Sequence, residues 1–152
     1  MVDFALEGKI IKYSDKRLAD DNFMYKDWSL GIYSKARNMM RSPQEVYKKE
    51  SYHRDSLDVL LKKIQIYEDY KKVGKEKALI DFDDMIGRAI QEVSFPPLKI
   101  LIIDEAQDCT PLQWSVIYKL AQNASRIYLA GDDDQAIYEW NGADPKYFTC
   151  YF

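Results

Sequence analysis

Apolar residues recur along the first two thirds of the chain at intervals of three and four, and then change to unbroken aliphatic runs. Leu57, Leu60, Leu61, Ile64 and Tyr67 make one helical stripe, with Lys62, Lys63, Glu68 and Asp69 between them. That spacing predicts a helix with one buried and one wet face, ended or interrupted at Gly74. Ahead of it, Ser42-Pro43-Gln44-Glu45 carries a capping hydroxyl, a proline at the first helical position and a carboxylate that can reach back to the cap, which predicts a helix start. After Asp81 the stripe returns as Phe82, Met85, Ile86, Ala89, Ile90 and Val93. A further helix is expected there, to about Val93, before Pro96-Pro97 stops it.

Beyond the prolines the period changes. Leu98-Lys99-Ile100-Leu101-Ile102-Ile103 reads as a strand buried on both faces of a parallel sheet. Thr110-Pro111-Leu112-Gln113 is a second capping box, and Leu112, Val116, Ile117, Leu120 and Ala121 give the next helix its apolar stripe. Arg126 to Ala130 reads as another strand. Strand, helix and strand in that order make a βαβ unit, whose strands run parallel and end on the same edge of the sheet. Ligands of open α/β sheets bind at that edge. The expected fold class is α/β, with a helical part over residues 1–79 followed by a βαβ portion of a parallel sheet over residues 80–152.

Composition narrows the function. The 152 residues, 47% of them hydrophobic, suffice for one domain or two small subdomains with a real core. No apolar run approaches the roughly 18–20 residues needed to cross a bilayer, and Met1 to Glu7 lacks the regions of a signal peptide, so a cytoplasmic protein with no membrane partner is expected. Cys109, Cys150 and a single histidine, His53, form neither a disulfide framework nor a zinc-ligand pattern. The net charge of −3 excludes a strongly basic protein that coats nucleic acid. Acid is nonetheless concentrated after residue 96, with four Lys and Arg against eight Asp and Glu. Clustered carboxylates repel unless a cation or hydrogen-bond donors share their site, so this half looks built to sit beside a metal ion.

Asp104-Glu105-Ala106-Gln107-Asp108 follows directly on the first strand. Of two adjacent acids at a nucleotide-binding edge, one can hold Mg²⁺ while its neighbour accepts a proton from the water that attacks a γ-phosphate. An isolated Asp-Glu pair more often solvates a turn or begins a cap, but the segment after the second strand changes the weighting. Gly131-Asp132-Asp133-Asp134-Gln135 makes a tight polar turn with a glutamine that can reach a phosphate oxygen, and Tyr138 and Trp140 supply ring faces two positions apart. With 12 tyrosines in the chain, an average aromatic packs a core. Lys62, Lys63, Lys71, Lys72, Lys75 and Lys77 could track a DNA backbone, but their interspersed acids favour a solvated helix face.

Together, Leu101 to Asp108 resembles motif II, the Walker B element, and Gly131 to Asp144 resembles motif III of the UvrD/Rep/PcrA-like superfamily 1 DNA helicases. The resemblance implies a RecA-like motor sheet, incomplete here, with ATP and Mg²⁺ as cofactors. It also implies partners in single-stranded DNA, duplex junctions and the remaining helicase domains. It makes Asp104 the Mg²⁺ ligand, Glu105 the catalytic base and Gln135 the γ-phosphate sensor, and it sets Tyr138, Trp140 and the position of Asn141 against DNA. Ile80-Asp81-Phe82-Asp83-Asp84-Met85 looks like the acidic-aromatic segment ahead of the family's Walker B strand, and the helical first half is similar to its 1B subdomain. Two departures stand out. Asn141 replaces a usual arginine, removing a cation that would lie against DNA. No Gly-x-x-x-x-Gly-Lys-[Ser/Thr] occurs anywhere, since Gly8-Lys9-Ile10 and Gly74-Lys75-Glu76 lack both the spacing and the hydroxyl. The expectation is therefore an excerpt of a helicase or translocase, inactive by itself. The alternatives are the helicase-like portion of a helicase-nuclease, and a non-hydrolysing DNA-binding or scaffold protein.

Overall fold

The computed structural model describes residues 27–73 and 80–150, so the helix end expected at Gly74, the two lysines 75 and 77 and everything expected of residues 1–26 lie outside the described residues. The described residues fall into two compact units, one from 27–36 and 42–82, the other from 37–41 and 83–150.

The first unit is helical. Asp27 opens α1 (Trp28–Asn38) by accepting the Ser29 and Leu30 N–H groups on its carboxylate at 2.9 and 3.2 Å. In α2 (Pro43–Lys49) the predicted capping box forms in full, with Ser42 and Glu45 satisfying each other's backbone N–H. α3 (Leu57–Val73) follows the predicted stripe, burying Leu60 and Tyr67, and Ile32, Ala36 and Val46 complete the apolar interior. Under this core lies an ionic network: Lys63 Nζ reaches Asp27 at 3.0 Å and Asp55 at 2.8 Å, and the buried Ser29 hydroxyl donates to Asp55 at 2.6 Å. Lys71 pairs with Glu68 and Asp81, whose carboxylate also accepts the Tyr67 hydroxyl at 2.9 Å. Lys63 and Lys71 are thus engaged in ion pairs within the unit, largely withdrawn from solvent rather than on the expected solvated face.

The second unit holds α4 (Phe82–Glu92) from Asp83 onward, β1 (Leu101–Ile103), α5 (Pro111–Ala121), β2 (Ile127–Leu129) and the short α6 (Lys146–Thr149). β1 and β2 pair in parallel with Leu101 opposite Ile127, Ile102 opposite Tyr128 and Ile103 opposite Leu129, which is the expected βαβ unit. α5 starts at the predicted Thr110/Gln113 capping box, and its Trp114 and Ile117 pack with Ala106 into a core joined by Ile103, Leu129, Tyr147 and Phe148. Asp83 and Asp84 hold Arg37 at 2.8 and 3.3 Å, Asn38 donates to Asp83, and the Thr110 hydroxyl donates to Asn38. These acids of the 80–85 segment are spent on structure. Lys119 of α5 donates to the carbonyls of Ile90 and Val93, satisfying groups that the end of α4 leaves over. No helix among the described residues is long and apolar enough to cross a membrane.

Two expectations change. The first strand spans Leu101–Ile103 rather than the whole aliphatic run, and Leu98 makes only an isolated bridge to Ala124. It is buried on one face only: Leu101 is buried, whereas Ile102 is 68% exposed beside Tyr128 at 52%. Side chains of opposed residues share a face, and nothing among the described residues covers that one. α4 buries none of its residues fully, and Phe82 and Met85 stay exposed, so its strongly amphipathic pattern is only partly used.

The Lys63 network yields a stability prediction. Burial by itself would push the Asp55 carboxyl up, yet hydrogen bonds from Lys63 and Ser29 outweigh it and hold the group below its ordinary value. Burial would likewise lower Lys63, and its bonds to Asp55 and Asp27 raise it instead. Asp55 therefore contributes stability that is present above its unfolded-state value and lost as the pH falls through its depressed one. The Lys63 contribution is present below the ordinary lysine value and lost as the pH rises through its raised one. Lys63→Met is expected to lower the unfolding free energy by about 1–3 kcal/mol near neutral pH, because it strands two carboxylates. In urea denaturation the deficit should shrink in acid, where those carboxyls are neutral in both states.

Candidate functional site

The carboxyl ends of β1 and β2 lie side by side, and the hydrogen-bond ladder runs past both strands: Ala130 N–H donates to Ile103 O at 2.8 Å and Ala106 N–H donates to Ala130 O at 2.9 Å. The segments that begin at Asp104 and Gly131 therefore leave the sheet together, as the βαβ order implies. Asp104 and Glu105 are both exposed at this edge, and the Asp104 carboxylate accepts the Glu105 N–H at 3.0 Å. Glu105 takes the left-handed conformation, with φ 52 and ψ 41, that few residues other than glycine adopt. The chain turns there into a single 3-10 turn, Ala106–Asp108, whose Ala106 is fully buried in the core against Trp114.

Gln107, to which sequence reasoning attached no role, is 1% exposed. Its Nε2 donates to Glu105 Oε2 at 2.8 Å, and its Oε1 accepts the Asp132 N–H at 3.0 Å. The Asp132 carboxylate in turn accepts the Asp134 N–H at 3.1 Å and the Gln135 side-chain amide at 2.5 Å. Glu105 and Gln135, predicted separately, thus sit at the two ends of one hydrogen-bonded chain. The only available signal for Gln107 was a neutral polar residue set between acids two positions after Glu105, which does not by itself reveal burial. Gly131 was read as a turn glycine, but its φ is not positive; a Cβ there would collide with Gln107 Oε1 and lie 3.2 Å from Ala106 N. Close approach, not backbone freedom, requires the glycine.

The aromatic pair falls a short way along. Tyr138 precedes a 3-10 turn, Glu139–Asn141, closed by Gly142 in the left-handed region at φ 96. Trp140 is 68% exposed, Tyr138 44%, with ring centroids 6.3 Å apart and planes tilted by 44°. Both leave ring surface free to stack, whereas Trp114 is fully buried against Tyr147 and belongs to the core. Asn141 is half-buried beside the buried Gly142 and Ala143.

Among the described residues no three His, Cys, Asp or Glu side chains converge so as to hold a metal ion. The exposed Asp104 carboxylate nonetheless suits Mg²⁺, which binds proteins through one or two carboxylates and takes its other ligands from water and phosphate. Cys109, behind the motif, is pushed up by burial and by the Asp108 carboxylate, so it stays a thiol and packs with the core.

Known proteins resemble this chain over most of its length. Residues 5–150 match the family described as the UvrD/REP helicase N-terminal domain. The chain is 30% identical over 124 residues to the ATP-dependent DNA helicase PcrA of Bacillus subtilis, covering 76% of this chain and 16% of that protein. It is 30% identical over 149 residues to the ATP-dependent DNA helicase Rep of Buchnera aphidicola from Acyrthosiphon pisum, covering 91% of this chain and 21% of the relative. A second Buchnera Rep, from Baizongia pistaciae, is 36% identical over 87 residues, 51% of this chain and 13% of its own. The chain thus spans a small part of the length of each relative.

Gly131→Ala is expected to destabilise the second unit by about 1–3 kcal/mol, as overpacking of an interior does. The buried Gln107 amide is held at both ends and cannot swing aside. A thermal unfolding transition unchanged from wild type would show that the turn has room to move.

Proposed function

Because the chain belongs to the UvrD/REP helicase N-terminal domain family, we propose that it is part of the first motor domain of an ATP-driven translocase that moves along single-stranded DNA in the cytoplasm and unwinds duplex junctions. In this reading residues 1–79 form a 1B-like helical subdomain and residues 80–152 carry the Walker B and motif III portion of a RecA-like 1A domain. The division of the described residues after Phe82 supports that boundary, with 37–41 counted in the second unit. One observation carries the reading: Asp104, Glu105 and Gln135 follow two adjacent parallel strands at their carboxyl ends, and Glu105 and Gln135 are joined through Gln107 and Asp132.

The roles follow from position. Asp104, with its carboxylate exposed at this edge, would hold Mg²⁺, which would supply positive charge to the phosphate oxygens. Glu105 accepts a proton from the attacking water, and Gln135 contacts the γ-phosphate with its side-chain amide. Tyr138 and Trp140 stack on bases of the single strand while Asn141 contacts the strand beside them without an arginine's charge. A switch in Gln135 on phosphate loss is passed along the few residues to Tyr138 and Trp140, which ties grip on DNA to the state of the nucleotide. ATP needs further contacts, because the sequence contains no phosphate-loop pattern. Those contacts, and the charge that stabilises the transition state, come from the remaining helicase domains, and the isolated chain does not hydrolyse ATP.

The test is ATP hydrolysis by the complete protein that contains this segment, with and without single-stranded DNA. Turnover stimulated by DNA is expected, and Glu105→Gln should abolish it while nucleotide binding persists, since the amide keeps size and polarity but accepts no proton. Loss of nucleotide binding with that substitution would instead make Glu105 structural. Trp140→Ala should weaken single-strand binding by about 1–3 kcal/mol if a base stacks on the indole. Unchanged affinity in a filter or anisotropy titration would remove Trp140 from the DNA surface.

A further inference from the structure

Resting on that assignment of Glu105 and Gln135, we propose that Gln107 is a positioning residue that locks the Glu105 carboxylate to the Gly131–Gln135 turn, so that the base and the phosphate-contacting glutamine act as one unit. Its orientation is set by chemistry. The Asp132 N–H can only donate, so the amide oxygen must face it, and Nε2 is left pointing at the Glu105 carboxylate. Gln107 is therefore a neutral two-ended connector: it gives a donor to a carboxylate without a competing positive charge, and an acceptor to a backbone group on the neighbouring segment.

Three further features make the connection stiff. Gln107 is 1% exposed, so water is poorly placed to replace either bond if the amide moves. Gly131 closes on its amide oxygen so tightly that a Cβ would collide with it. On the far side the connector continues through Asp132, whose carboxylate accepts the Gln135 amide. Glu105 is exposed and in the left-handed region, with no side-chain bond holding it to the 3-10 turn except this one among the described residues. Without Gln107 its carboxylate is free to turn into solvent, and Gln135 loses its tie to the base while keeping its own bond to Asp132.

The experiment is a double-mutant cycle in the complete protein, measuring DNA-stimulated ATP hydrolysis for Gln107→Met, Gln135→Ala and the pair, with kcat and KM for ATP determined separately. Methionine fills the buried volume but can make neither bond. The expected result is a fall of about tenfold or more in kcat with KM changed less than about twofold, and a Gln135→Ala effect much reduced when Gln107 is already methionine, as for residues acting as a unit. A merely structural role lowers the active fraction and multiplies independently with Gln135→Ala, so effects that multiply in full overturn the proposal, as does an unchanged kcat. Should the methionine variant fail to fold, Gln107→Glu carries the same cycle, since it keeps an acceptor for the Asp132 N–H and replaces the donor to Glu105 with a carboxylate that repels it. Wild-type protein without any turnover would remove the helicase reading and this inference with it; an active wild type with multiplicative variants removes this inference alone.

Discussion

Parallel pairing of β1 with β2 is the constraint on which the rest of the site depends. Two parallel neighbours must end on the same edge, and the register that sets Ile103 opposite Leu129 makes them end at the same height. The hydrogen bonds then carry on past the strand ends, from Ala130 to Ile103 and from Ala106 to Ala130, before the chains diverge. Shifting one strand by a single residue would turn its side chains to the opposite face and carry Asp132 away from Gln107. Register is held by packing below: Ala106, Ile103 and Leu129 share a core with Trp114 and Ile117 of the connecting helix. The site is accurate because it stands directly on that core.

Acidic residues are used in two ways in this chain, and surroundings decide which. In the first unit Asp27, Asp55 and Asp81 are drawn inward and satisfied by Lys63, Lys71, Ser29 and Tyr67. A lysine or hydroxyl within bonding distance offsets the cost of removing a carboxylate from water. At the strand ends Asp104, Glu105 and Asp132 to Asp134 meet no lysine or arginine in an ion pair among the described residues, and all five stay exposed. Local backbone and amide donors hold Asp104, Glu105 and Asp132 without neutralising them. Charge is thus conserved at the one edge where a cation and phosphates could use it.

The uncovered face of the sheet and the half-used face of α4 follow the same logic. Ile102 and Tyr128 are opposed on one side, and Phe82 and Met85 stand out from their helix, although the pattern of each segment calls for burial. A sheet of two strands exposes more than it hides, and only further strands or helices laid against it can satisfy such a pattern.

Local chemistry was enough to determine helices α2 to α5 and the order of the two strands. Both capping boxes, the stripe of α3 and the βαβ order follow from interactions among residues three or four apart or from an aliphatic run, and these operate in almost any context. Spacing also carried Asp104, Glu105, Gln135 and the exposed Tyr138 and Trp140 to the edge where strand ends must lie. What the sequence could not determine was everything that depends on residues distant along the chain meeting in space. Gln107 and Asp132 are 25 positions apart, and nothing in either segment announces that one amide will bridge them. Gly131 looks like any turn glycine until Gln107 lies against it. That Trp114 faces the core was not legible from its residue type, because an indole is apolar enough for either place and only the packing of α5 on the sheet decides it.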